Sequence, residues 1–128
     1  MTDKRAIELE LPAHPAMVGT ARDATRELRG SLDAETLEAV QLVVSELVTN
    51  AIRHSGVAAE DTILLRVAVL GDSVLTEVSD TGSGFRAPSL HTPGGIAGGL
   101  GLFLVDHLAD RWGVSTEDGT RVWAEIHR

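Results

Sequence analysis

Val43-Val44-Ser45-Glu46-Leu47-Val48-Thr49-Asn50-Ala51-Ile52-Arg53-His54 is the stretch around which the chain is organised. Leu37, Val40, Val44, Leu47, Val48 and Ala51 recur at three- and four-residue steps, which sets them on one face of an amphipathic helix. Glu46, Asn50, Arg53 and His54 recur at the same steps and line a second face. A carboxylate, a carboxamide, a guanidinium and an imidazole thus share one stripe of a helix otherwise built for burial. Taken alone, such a stripe reads as a solvated surface face. Two glycine-rich segments later in the chain give it another use.

The helix starts at Asp33, a preferred N-cap residue, and ends near Ser55 before Gly56, with Ser31 as the alternative cap. Ahead of it, residues 6–11 alternate Ile7, Leu9 and Leu11 with Glu8 and Glu10, as a half-buried strand does. Pro12 and Pro15 follow, then a helical pattern over 16–30 that Gly30 stops. After the central helix, 62–70 and 74–79 read as a hairpin turning at Gly71-Asp72-Ser73. Residues 80–99 carry six glycines and two prolines and read as a loop, whose length marks it as functional. A helix over 100–110 and strands over 112–116 and 121–126 complete the order. Adjacent strands imply hairpins. The expected fold is therefore a two-layer α/β (α+β) sandwich, with a mixed, mostly antiparallel sheet covered on one face by helices.

Residues 1–128 make most simply one domain. Phe85, Phe103, Trp112 and Trp123 are the four aromatic residues, so the core must be aliphatic. A net charge of −8 and a pI near 5.0 argue against direct nucleic-acid binding, which needs clustered Lys and Arg. The charge suits a chain that binds proteins or a metal-complexed anion. Cysteine is absent, which excludes disulfides, thiolate nucleophiles and cysteine metal sites. The opening Met1-Thr2-Asp3-Lys4-Arg5 is not a signal-peptide pattern, and no apolar run reaches the roughly 18 residues that span a bilayer. A cytoplasmic location without membrane association is the expectation.

Three groups of residues carry chemistry. Asn50 offers a neutral, hard oxygen suited to Mg²⁺. Glu46, one turn earlier, is placed to polarise a hydroxyl or hold a metal-bound water, and Arg53 to offset phosphate charge. For His54, interaction with the helix dipole is the simpler account. Asp80-Thr81-Gly82-Ser83-Gly84 leaves an apolar strand, and its glycines let backbone approach a flat or charged ligand closely. Asp80 there is a carboxylate able to accept from an exocyclic amine, although Asp and Gly also make ordinary turns. Gly98-Gly99-Leu100-Gly101-Leu102 opens a helix, where free backbone N–H groups and the dipole suit an anion.

Glu-x-x-x-Asn-Ala-x-x-His, then Asp-x-Gly-x-Gly, then Gly-x-Gly-Leu occur in that order. Together they resemble the GHKL (Bergerat-fold) ATPases, over roughly residues 9–126. The phrases Ser45-Glu46-Leu47-Val48-Thr49-Asn50-Ala51, Gly101-Leu102-Phe103-Leu104-Val105 and Val122-Trp123-Ala124-Glu125 are most similar to stand-alone bacterial anti-sigma factors that are also serine-protein kinases, the RsbW and SpoIIAB kind. The resemblance implies ATP and Mg²⁺ as cofactors, and as partners a sigma factor and a STAS-domain antagonist phosphorylated on serine. Asn50 would coordinate Mg²⁺ and Glu46 would act as general base. Asp80 would bind the adenine amino group, with Gly82 and Gly84 shaping the base pocket and Thr120 touching its side. Gly98, Gly99, Leu100, Gly101 and Leu102 would face the phosphates, residues 86–98 would form a lid, and a homodimer is a further implication.

The chain departs from the family pattern at Leu100, where relatives often carry Arg. Arg86 is the only Lys or Arg between Asp80 and Gly101. A nucleotide-binding interaction module without phosphoryl transfer is therefore a second expectation. A third comes from Asp80-Thr81-Gly82-Ser83, the active-site phrase of aspartic proteases, which would make the chain a retroviral-type, nearly all-β dimer.

Overall fold

Residues 4–54, 62–80, 102–115 and 120–128 are described by the structure, a computed structural model. Strands β1 (Ala6–Pro12), β2 (Thr62–Val69), β3 (Ser73–Asp80), β4 (Arg111–Ser115) and β5 (Arg121–His127) form one sheet in the order β1-β2-β3-β5-β4. Every pair is antiparallel among the described residues, as the expected mostly antiparallel sheet requires, with no parallel pair among them. The helices are α1 (Met17–Ala24), α2 (Ala34–His54) and α3 (Leu102–Leu108), and a 3₁₀ turn at Thr25–Leu28 follows α1. Three helices over one sheet is not the nearly all-β chain that the aspartic-protease reading requires.

Alternation assigns the two faces of the sheet. Ile63, Leu65 and Val67 of β2, Val74, Thr76, Val78 and Asp80 of β3, and Val122, Ala124 and Ile126 of β5 are buried. Helix α2 lies against the β3 and β5 part of this inward face, with α1 and α3 also packed against it. The apolar periodicity of α2 holds: Val40, Val44, Leu47, Val48 and Ala51 are buried, while Leu37 is half-buried. Val43 is buried as well, because a helix flanked on both sides hides more than a single stripe.

The Thr36 N–H donates to Asp33 Oδ1 at 2.7 Å, so Asp33 is the N-terminal cap. That bond and a second from the Thr36 hydroxyl hold the Asp33 carboxyl below its usual value. Ser31, the alternative cap, instead donates its hydroxyl to the Lys4 carbonyl at 2.8 Å and ties the helix entry to β1.

The outward face of the sheet is charged and paired. Arg66 meets Glu8 at 3.0 Å and Glu77 at 3.7 Å, Arg121 meets Glu77 at 3.3 Å, and Arg111 meets Glu125 at 3.0 Å. Trp123 lies on this face across from Gly113, where a Cβ would come within 2.9 Å of the indole ring. A side chain on residue 113 would have to displace the tryptophan.

Thr76, like Asp80, is a polar residue on an otherwise apolar inward face. It is fully buried, and its hydroxyl has no hydrogen-bond partner. A buried hydroxyl left unpaired costs about 1–3 kcal/mol. Thr76→Val keeps the β-branched shape and removes that cost. Calorimetry is expected to show the melting temperature rising by about 3–5 °C, the shift that roughly 1 kcal/mol gives at this size. A lower melting temperature would mean that the hydroxyl is satisfied in solution.

Candidate functional site

The last two turns of α2, the end of β3 and the start of β5 carry the polar groups that the core cannot explain. In an antiparallel pair the end of one strand faces the start of its neighbour. Asp80 closes β3 and Thr120 immediately precedes β5, and the Asp80 N–H donates to the Thr120 carbonyl at 2.9 Å. Both residues are buried, at 5% and 4% exposure. The register sets Asp80 opposite Ile63 on the inward side, the side that α2 covers. Sequence reading assigned Asp80 to a loop, because Asp is a turn former. The strand runs through it, because β2 and β5 supply ladder partners up to that position.

On α2, Asn50 is 1% exposed, and neither its side-chain oxygen nor its nitrogen has a hydrogen-bond partner. A carboxamide has two acceptor lone pairs and two donor hydrogens to satisfy. A fully buried one with none satisfied points to a ligand that completes it. The free oxygen is a neutral hard donor, which fits Mg²⁺; among the described residues no cluster of three acidic or imidazole side chains offers an all-protein cage. Glu46 lies one turn earlier on the same stripe and is half-buried.

The predicted stripe is thus brought together only in part. Glu46 and Asn50 remain neighbours, but Arg53 is exposed. His54 is the last residue of α2, and its side chain lies outside what is described. Leu102 is the first described residue of α3, with its side chain in the core. Gly82, Gly84, Gly98, Gly99, Leu100 and Gly101 lie outside the described residues, as does the lid expected over 86–98. Thr76 was missed. Its signal was present, since it stands on the same inward row as Asp80, with Val74 and Val78 between and beside them.

Residues 11–126 match the family described as the histidine kinase-like ATPase domain. The chain belongs to this family. It is 30% identical to the serine-protein kinase RsbW of Listeria monocytogenes, over 95% of this chain and 85% of the relative. It is 31% identical to the RsbW of Bacillus pumilus, over 91% of this chain and 82% of that protein. Among solved structures, the histidine kinase domain of the blue-light activated histidine kinase of Erythrobacter litoralis superposes with a TM-score of 0.56 at 25% identity. That match covers 90% of this chain and 60% of the other. Five antiparallel strands under three helices are therefore the ATPase fold of the family, and Asn50 and Asp80 occupy its helix-and-strand-end region. Among the described residues, no helix is long and apolar enough to cross a membrane.

Asn50→Ala separates a ligand role from a structural one. The side chain makes no internal hydrogen bond, so its loss removes a desolvation cost and opens only a small cavity. The melting temperature without nucleotide is expected to stay within about 3–5 °C of the parent, the shift that roughly 1 kcal/mol gives. With MgATP the parent gains stability by mass action, about 2.7 kcal/mol at one hundred times Kd. Asn50→Ala and Asp80→Ala are expected to lose that gain, as read by thermal shift. A full gain in both variants would remove the site.

Proposed function

We propose that the chain is an ATP-dependent protein-serine kinase that also acts as an anti-sigma factor, with a sigma factor and a STAS-domain antagonist as partners, working in the cytoplasm as one domain over residues 1–128. The observation that carries the reading is Asn50, a buried and wholly unpartnered carboxamide one turn from Glu46. Its place in a chain of the histidine kinase-like ATPase family supports ATP as the ligand. The name of the RsbW relatives supports serine as the acceptor.

In this mechanism Asp80, buried where β3 ends beside Thr120, accepts from the adenine amino group, and Thr120 bounds the base. Asn50 would hold Mg²⁺ through its side-chain oxygen; the ion, when bound, neutralises phosphate charge. Glu46 takes the proton from the serine hydroxyl of the partner protein. The serine oxygen then forms a bond to the γ-phosphorus as the bond to the β–γ bridging oxygen breaks, giving phosphoserine and ADP. Gly82, Gly84, Gly98, Gly99, Leu100 and Gly101 are proposed to line the nucleotide. Arg53, exposed at the end of α2, is the described cation closest in sequence to Asn50 and serves phosphate charge from the solvent side.

Removing a general base costs about 10²–10⁴ in rate. Glu46→Gln is expected to slow phosphoserine formation on a STAS-domain antagonist at least about 100-fold, measured with labelled ATP, while the MgATP-dependent rise in melting temperature survives. Equal rates in parent and variant would refute the role of Glu46. A parent that binds MgATP but yields no phosphoserine would favour the second reading, a nucleotide-holding interaction module. Leu100 in place of the family's arginine is the feature of this sequence that speaks for it.

A homodimer belongs to the same proposal. Light scattering is expected to give about twice the 13.6 kDa chain mass at micromolar concentration; a single-chain mass would exclude it.

A further inference from the structure

Away from the nucleotide end, α2, α3 and β5 enclose a groove of about 330 Å³. Its floor is aliphatic, from Ala39, Leu42, Leu108 and Ile126. Leu42 is 41% exposed. Phe103 is 58% exposed and stands one turn before His107, a residue of the groove wall, with the two rings 4.6 Å apart. Two of the three large exposed hydrophobic side chains of the described residues thus sit on or beside one groove. Single exposed leucines are ordinary, but an exposed leucine and phenylalanine about a shared concavity mark a surface kept for a partner.

Charge narrows the choice of partner. Glu35, Glu38 and Asp110 line the groove, together with His107 and His127, and no Lys or Arg does. On the outward sheet face, by contrast, Glu8, Glu77 and Glu125 all meet arginines. Glu35 and Glu38 meet no cation among the described residues, and Asp110 only His127, at 4.0 Å. An apolar floor under an unneutralised acidic rim complements a helix with apolar anchors on one face and Lys or Arg flanking them.

We propose that this groove docks a basic amphipathic helix of a partner protein, with a large apolar side chain seated between Leu42 and Leu108 and flanking cations facing Glu35 and Glu38. The proposal goes beyond phosphoryl transfer and stands without it, because the groove occupies the other half of α2. Glu38 precedes Asn50 by twelve residues, about 18 Å along the helix axis. Leu42 precedes Glu46 by one turn on the same stripe, so an occupant would end beside the proposed base and leave Asn50 and Asp80 clear.

Titrating the full chain with a synthetic amphipathic peptide of leucine and lysine, followed by amide NMR, tests this directly. The expected result is saturable shifts at Ala39, Leu42, Phe103 and Leu108 that weaken as salt is added. Affinity is expected to fall about tenfold or more in the double variant Glu35→Lys with Glu38→Lys, and in Leu42→Asp, with the MgATP-dependent rise in melting temperature unchanged in both. A peptide carrying glutamate for lysine should not bind. Shifts confined to the outward sheet face, equal binding of the acidic peptide, or equal affinity in the charge-reversed variant would each overturn the proposal. So would shifts at Leu42 and Phe103 that follow protein concentration without peptide, because the groove would then be covered by a second copy of the chain.

Discussion

Burial of α2 on three sides is the constraint on which the rest depends. The helix sits between α1 and α3 and over the inward rows of β3 and β5, so most of its circumference must be apolar. Val40, Val43, Val44, Leu47 and Val48 are at most 1% exposed. Burying each such side chain is worth about 1.5–3 kcal/mol, and even a generous discount for a compact unfolded chain leaves several kcal/mol. One unpartnered carboxamide costs about 1–3 kcal/mol. The helix therefore tolerates Asn50 unpaired within its most buried section. A site that must desolvate its ligand needs its polar group held where water is scarce, and only a helix this well packed can hold one there.

The antiparallel sheet does the complementary work. Since β2 and β5 both run opposite to β3, the starts of β2 and β5 meet the end of β3 at one edge, which brings Thr62, Asp80 and Thr120 to the same end of the sheet. Segments 81–101 and 116–119 connect to the described chain at that edge. Residues far apart in sequence reach one place because hairpin geometry repeats, with no long-range side-chain contact required to gather them. Asp80, Thr120 and the helix that carries Glu46 and Asn50 then face each other across the layer boundary.

Much of this was legible because it follows from period. A repeat of 3.6 residues located α2 and its apolar face, a repeat of two located β1 and β2, turn residues located the remaining strands as hairpins, and the Asp33 cap followed from residue type. Period fails where neighbours decide. Alternation does not say which strand pairs with which, so the insertion of β5 between β3 and β4 could not be read. Helical spacing put Arg53 on the stripe of Asn50, yet the sector that α1, α3 and the sheet cover ends before Arg53. The turn preference of Asp moved Asp80 out of its strand, and the ladder restored it. Asn50 was legible as a residue type at a spacing; that both its polar atoms are buried and unpaired was not, because burial belongs to the packing of three other elements.

The division of charge follows from the same architecture. On the outward sheet face, cross-strand neighbours lie close enough for carboxylates and guanidinium groups to pair. Each exposed pair adds at most about 1 kcal/mol, but together they offset most of the charge on that face. Around the first turns of α2 the groove is lined by His107 and His127 but by no Lys or Arg, so among the described residues Glu35 and Glu38 stand without an ion pair there. A net charge of −8 is therefore not spread evenly over the molecule. Part of it stands unpaired beside Leu42, where an aliphatic floor of low polarisability leaves the field poorly screened. One helix thus presents two surfaces of opposite character. Its buried end holds a carboxamide with neither polar atom paired, and its exposed end presents acids over an apolar floor. The 3.6-residue stripe running from Glu38 through Leu42 and Glu46 to Asn50 joins them, exposed at Glu38 and Leu42, half-buried at Glu46 and buried at Asn50.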